Sequence, residues 1–439
     1  MRWHYGRKAP SIMAFSPTIY GAMSSDVCER QHRGRPLLDY PEAIGLLMEQ
    51  AQPLSRPPQL CPLRQASGRV TAEAVVLDRL EPPVARSAMD GYAVRSGDGR
   101  QSRRIRGTVY AGTSQVPPVG DGEAVAVMTG GTIPPGADAV VPVELTRVET
   151  SPDSDQGQRL YLDAEVKAGQ HVRPAGEMGD RGRLLLPAGR LLSLTDVVAA
   201  AGCGHDPIRV GAKPKVAVLS TGDEVVSWRK QPQDHQVRDS NRLGAALQME
   251  RAGAEVIATR RVRDEPEELR LVMEAALEAS DLVITIGGVS MGEKDHLPQV
   301  FEQIGLRKLF HGVRVQPGKP VWAGERDGRW VLGLPGNPMS SFVILELFGA
   351  PLVQRLAGAQ PAVPRPLEIG IAGGTARTKA RERFLPADLS VSDDGRCRVH
   401  PRPQTGSGDW TSLAGCDALL SLPAHTQVEE GEAVRFLRL

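Results

Sequence analysis

Two kinds of apolar pattern alternate through the middle of the chain. Compact runs such as KVAVLS (215–220), AEVIATRRV (254–262), DLVITI (281–286) and RWVLGL (329–334) are short and bounded by turn residues, which predicts strands, those of KVAVLS and DLVITI buried. Between them lie stretches with apolar residues at helical spacing: 240–252, DEPEELRLVMEAALEAS (264–280), 296–304 and NPMSSFVILELFGAPLVQRL (337–356). In the second, Leu269, Val272, Met273, Ala276 and Leu277 share one face. Gly253 ends the first helix, and Asn337 with Pro338 starts the last as cap and first residue. Strands alternating with helices predict a parallel sheet covered on both faces, a three-layer α/β domain.

The flanks read differently. Residues 39–51 predict a helix: Asp39 and Glu42 have capping-box spacing, and Ala43, Ile44, Leu47, Met48 and Ala51 form one apolar face. A connection rich in proline (Pro53, Pro57, Pro58, Pro62) follows. From 87 to 145 short β pieces sit between Gly/Pro turns, and TSPDSDQGQ (150–158) has loop composition. Strand-like pieces resume at 159–192, SLTDVVAAAG (193–202) predicts a short helix, and 360–439 predicts a small all-β domain. Residues 1–32 contain Arg2, Arg7 and Lys8 without a continuous apolar segment; a disordered tail is expected, with Met13 or Met23 as alternative starts.

At 439 residues, two to four domains are expected. Lys+Arg (53) and Asp+Glu (52) nearly cancel, so no global field for nucleic acid or a membrane surface exists, and any anion site must be built locally. No run reads as long and apolar enough to span a bilayer. The five cysteines, Cys28, Cys61, Cys203, Cys397 and Cys416, form no CxxC, which points to a reducing cytoplasm.

Four loops leave the carboxyl ends of the predicted parallel strands: STGDE (220–224), RDEPE (263–267), GGVSMGEKD (287–295) and LPGNP (334–338). Ligands of open α/β sheets bind at that edge. Gly287 and Gly288 admit a ligand close to the backbone, helix N-termini suit phosphate, and carboxylates beside phosphate suit Mg²⁺. Asp264 and Asp295 each precede a helix and could equally cap it. QPGKP (316–320) holds Lys319 on a rigid turn; Asp90 of SAMDGYAV and Glu177 of RPAGEMGDRG lie in turns of the β-rich region.

The motifs SAMDGYAV, MTGGTIPPGADAVV, STGDE, SNRL, GGVSMGEKD, PGKP and LPGNP, in this order, resemble the molybdopterin molybdenumtransferases. These MoeA-type molybdenum insertases are related to the enzymatic domain of gephyrin. The resemblance spans about residue 36 to 439. It implies an α/β, multidomain chain: a disordered extension (1–32), a linking domain in two segments (33–86 and 146–207), an inserted β-rich domain (87–145), a three-layer α/β molybdopterin-binding domain (208–358) and a C-terminal small β-barrel (359–439). It also implies a homodimer with shared active sites. The implied reaction inserts molybdate into adenylylated molybdopterin and releases AMP, with Mg²⁺.

By the same resemblance Asp264 and Asp295 serve Mg²⁺, and Thr221, Gly222, Asp223, Glu224, Asn241, Gly287, Gly288, Ser290, Pro335, Gly336 and Asn337 contact the pterin nucleotide. Lys319, Arg381 and Ser407 contact molybdate, and Asp90 and Glu177 match acids that matter for activity. An arginine with a hydroxyl suits a tetrahedral dianion. The chain departs from the common pattern at Met178, Ile286, Pro386 and Gln316; at the last, many relatives have a lysine, and Arg314 is the nearest cation in sequence. Two other readings use the same motifs: adenylylation of molybdopterin, and a pterin-binding scaffold without chemistry.

Overall fold

The computed structural model describes residues 37–150, 158–290, 295–360 and 365–439. The expected N-terminal tail and most of the 150–158 loop lie outside them.

In the α/β domain the strands are β1 (Lys215–Thr221), β2 (Glu255–Val262), β3 (Leu282–Ile286), β4 (Arg307–His311), β5 (Trp322–Arg326) and β6 (Arg329–Leu334). The helices are α1 (Ser240–Arg251), α2 (Pro266–Ala279), α3 (Leu297–Gln303) and α4 (Pro338–Leu356). The sheet order is β2-β1-β3-β6-β5-β4. The first four strands are parallel, but β5 runs antiparallel to both neighbours, so the expected all-parallel sheet is mixed. A tight turn at Asp327 and Gly328, both with positive φ, returns β5 directly into β6, which forces an antiparallel pair.

Strand alternation sends Val218, Ile284 and Leu332 to one face, against Met249 of α1 and Phe348 of α4. It sends Leu219, Val283 and Val331 to the other, against Met273 of α2 and Phe301 of α3. α4 is long and apolar enough to cross a bilayer, contrary to the reading of the sequence, but 83% of it is buried as a core helix. Its middle, Leu345–Gly349, widens into a π-helical turn. There Glu346, wholly buried, accepts hydrogen bonds from Gln248, Arg251 and Arg365.

The helix Tyr40–Gln50 buries Ala43, Ile44, Leu47 and Met48 in the first of these faces, so the opening of the expected linking segment packs on the α/β core. The two linking segments meet where Val75–Val76 pairs with Leu184–Leu186, and Gln59–Cys61 pairs with Ile208–Val210, just past the boundary expected at 207. The β-rich region is a six-stranded sheet, and its hairpin Thr146–Thr150 and Gln158–Leu162 carries it past the boundary expected at 145. The C-terminal strands close a small barrel, because Glu382–Val391 pairs with both Cys397–Pro401 and Ala418–Leu422. Val315–Gln316, from the α/β domain, adds in parallel to the rim of that barrel.

Candidate active site

The chain leaves β1, forms β2 on one side, and returns to form β3 on the other. That reversal opens a crevice at the carboxyl ends of β1 and β3, where open α/β sheets take ligands. Thr221 and Gly287 stand on its two lips. Gly287 has φ +91°, and a Cβ there would lie 3.0 Å from the Thr221 carbonyl oxygen. At Gly336 a Cβ would come 3.7 Å from the Gly287 Cα. The glycines therefore bring three of the four expected loops to near backbone contact.

Side chains tie the loops further. The Thr221 hydroxyl donates to Asp264 Oδ1, joining the ends of β1 and β2. Asp264 is not a helix cap: Glu265 holds that position in α2. Asp264 Oδ2 has no protein partner among the described residues. Asp295 is half-buried just before α3, whose capping position is His296. Asn241 Nδ2 donates to the Gly336 carbonyl (2.7 Å), binding the start of α1 to the LPGNP loop. Asn337 precedes α4, but its side chain makes no cap; Nδ2 donates instead to Ser407 Oγ (2.8 Å). The Met339 N–H also donates to the Ser407 carbonyl, so the C-terminal domain docks on this loop. Pro335 is buried, with its carbonyl accepting from Ser341 Oγ (2.6 Å). Gly222 has φ +131°, and Asp223, Glu224 and Ser290 are exposed around the crevice.

The expected anion cations cluster through one pairing. Lys319 is exposed on a turn whose carbonyl accepts from Val313 N–H (2.9 Å). The adjoining Val315–Gln316 runs parallel to and in register with Glu382 and Arg383, so Arg381 comes opposite Arg314, whose neighbour Val313 is bonded to the Lys319 turn. Neither Lys319 nor Arg381 meets a carboxylate among the described residues. Arg314, the cation expected to replace the lysine missing at Gln316, is committed elsewhere: Nε and a terminal nitrogen grip both oxygens of Asp39 at 2.7 and 2.8 Å.

Asp90 and Glu177 stand apart from these loops in their bonding. Asp90 Oδ1 accepts from the Thr129 N–H (2.6 Å) and hydroxyl (2.7 Å), which hold its carboxyl below the usual range. This brings SAMDGYAV and MTGGTIPPGADAVV together. Glu177 is exposed on a turn pinned through Gly176 to Pro82 and through Met178 to Glu81.

Reading the sequence missed Asp239, Thr129 and Arg383. Asp239 is buried, accepts from Ser220 Oγ (2.7 Å), and caps α1 by accepting from Arg242 N–H (3.1 Å). Its place before the Ser-Asn-Arg helix start was the available signal.

A glycine-lined crevice at a sheet switch point, with loop carboxylates beside it and a cationic rim shared with a β-barrel, defines a multidomain α/β protein built to hold an anionic ligand. The segments match known families in order: residues 38–204 the MoeA N-terminal region (domain I and II), 217–355 a probable molybdopterin binding domain, and 371–439 the MoeA C-terminal region (domain IV). A molybdopterin molybdenumtransferase of Haemophilus influenzae is 34% identical over 91% of this chain and 98% of its own. One of Synechocystis sp. is 32% identical over 84% and 92%. The crystal structure of the molybdopterin biosynthesis moeA protein from Pyrococcus horikoshii OT3 aligns with TM-score 0.75 and 27% identity, over 92% of this chain and all of that one. The chain belongs to the molybdopterin molybdenumtransferase family.

Proposed function

We propose that the chain inserts molybdate into adenylylated molybdopterin, releasing AMP and leaving the metal on the pterin. The observation that carries this reading is two bonded sets at the carboxyl edge of the sheet: Thr221 with Asp264 after β1 and β2, and Asn241, the loop after β6 and Ser407 of the barrel. The half-buried backbone at Gly287 and Gly288 and the exposed Gly336 ahead of α4 receive the pterin nucleotide's phosphates. Lys319, Arg381 and Ser407 orient the tetrahedral dianion by charge-assisted hydrogen bonds.

The donor set fits Mg²⁺, which takes one or two carboxylates and fills its remaining positions with phosphate oxygens and water. Asp264 and Asp295 would hold it; Asp264 Oδ2 lacks a protein partner, and no group of three or more metal-ligating side chains occurs among the described residues. When bound it would neutralise phosphate charge as the AMP leaves. The residues themselves position: Thr221 fixes Asp264, Asn241 fixes Gly336, and Asn337 fixes Ser407.

The dimer belongs to the same proposal. The helix Leu194–Gly202 leaves Leu194 (72%) and Val198 (65%) exposed one turn apart, an apolar row suited to a second copy. A cytoplasmic setting accords with the free thiols Cys61, Cys203, Cys397 and Cys416.

Titrating molybdate into purified protein with adenylylated molybdopterin and Mg²⁺ tests the reaction. Saturable, molybdate-dependent AMP release is expected. AMP incorporation from ATP into molybdopterin would instead assign adenylylation, and binding of the adenylylated pterin without AMP release would assign a scaffold.

A further inference from the structure

Arg383 occupies an unusual position. It lies near the start of the barrel strand Glu382–Val391, with Gln316 as its register partner on one side and Leu422 on the other. Strand alternation sends Glu382 the opposite way, where Oε1 accepts from Ser421 (2.9 Å), while Arg383 shares the side of Leu385, which belongs to the barrel core. The residue is half-buried at the barrel rim. Among the described residues it meets no carboxylate, and its hydrogen bonding is one long contact, 3.4 Å, to the Arg377 carbonyl. Burial pushes its pKa down, with no nearby acid to offset this. A guanidinium in that setting has donors to spare and a desolvation cost that an anion would relieve.

Its neighbours supply the geometry. Arg381 is two residues earlier on the same segment, and Lys319 lies three residues beyond Gln316 on the pinned turn. Registered residues on adjacent strands point the same way, so a charge on either Gln316 or Arg383 serves the same place.

We propose that Arg383 is an anion-binding residue of the molybdate site, supplying from the barrel strand the charge that Gln316 does not. The assignment rests on the molybdate reading above and adds a ligand to it. The Arg314–Asp39 pair excludes the other nearby cation.

The test moves the charge across the strand pair. Molybdate binding is measured calorimetrically, and half-saturating molybdate for AMP release is measured in parallel. R383Q should weaken both about tenfold, the worth of one charge-assisted hydrogen bond, and leave adenylylated-pterin binding unchanged. Adding Q316K to R383Q should restore most of the loss, whereas Q316K alone should gain little because Arg383 already fills the place. Q316E, which leaves Arg383 intact but sets a carboxylate beside it, should weaken molybdate binding as R383Q does and decides the matter if R383Q fails to fold. Unchanged molybdate affinity in R383Q or in Q316E overturns the assignment, as does a loss that Q316K cannot rescue. Wild type that binds molybdate but releases no AMP would sink the reaction while the binding arm still judges Arg383. Wild type that binds no molybdate would sink both.

Discussion

Lys319 and Thr221 show how single side chains divide the labour of the site. Lys319 carries an ammonium that meets no carboxylate among the described residues, on a turn fixed by the Val313–Lys319 backbone bond. Lys319→Ala should therefore raise half-saturating molybdate about 10-fold or more, with pterin-nucleotide binding largely intact; an unchanged molybdate dependence in steady-state AMP release would falsify its assignment. Thr221 reaches no substrate through its hydroxyl if that group stays on Asp264. Thr221→Val should free Asp264, raise the Mg²⁺ concentration needed for half-maximal rate, and cost about 1 kcal/mol of stability, read by thermal unfolding with and without Mg²⁺. The acids, glycines and lysine of the loops were legible in the sequence because each sits in a short turn with its own chemistry. Their partners were not. Asn337 reads as a cap until Ser407, 70 residues later, takes its amide. Arg314 reads as a spare cation until Asp39, 275 residues earlier, takes both sides of its fork. No local pattern encodes either choice.

At the scale of elements, the helices and the fully buried strands of the α/β domain were legible from periodicity alone, since α2 buries Leu269, Met273 and Leu277 as its spacing demands. β4 and β5 were not: RKLFH and WAGER mix charge and glycine with apolar residues, and their pairing gives them away only in three dimensions. Nor did the sequence mark the π-turn of α4, where Glu346 gathers Gln248 and Arg251 of the α1 helix and Arg365 at the entrance to the barrel domain. Removing that carboxylate leaves two guanidiniums facing each other, so Glu346→Ala should cost about 3 kcal/mol, the lower end for a broken buried pair because Arg251 is half-exposed. Chemical unfolding measures it. Glu382 at the barrel rim behaves oppositely. Burial raises its pKa, helped by the charge of Asp39. The folded state then holds the proton more tightly than the unfolded chain, so its contribution to stability is present below the ordinary glutamate value of 4.5 and is lost as pH rises through the raised one. Glu382→Gln should flatten that fall in Tm between mildly acidic and neutral pH; an identical pH slope would remove Glu382 as its source.

For the whole molecule the question is which chains complete a site. Bonds at Asp90 run to Thr129 and Val143, and those around Glu177 run to Pro174, Glu81 and Pro82. Both acids are thus held by residues that precede the α/β domain, while Asp264, Asn241 and Ser407 are bonded into the crevice. An apolar row at Leu194 and Val198 offers a surface for a second copy, and a two-fold pair can set the early segments of one chain against the crevice of the other. Asp90→Asn and Lys319→Ala, mixed in equal amounts and assayed at molybdate low enough that neither variant alone turns over, allow a direct test by subunit exchange. Random pairing makes half the dimers mixed. If sites are shared between chains, each mixed dimer carries one site with both lesions and one with none, so the mixture should regain roughly a quarter of wild-type AMP release. If each site is built within one chain, every site keeps a lesion and the rate stays at that of the separate variants. Native mass spectrometry confirms that mixed dimers formed, and no recovery in their presence would rule out sharing. If the proposed dimer forms through that row, Leu194→Asp should separate the chains and abolish the recovery together, because the contact that joins the chains is then what completes the site.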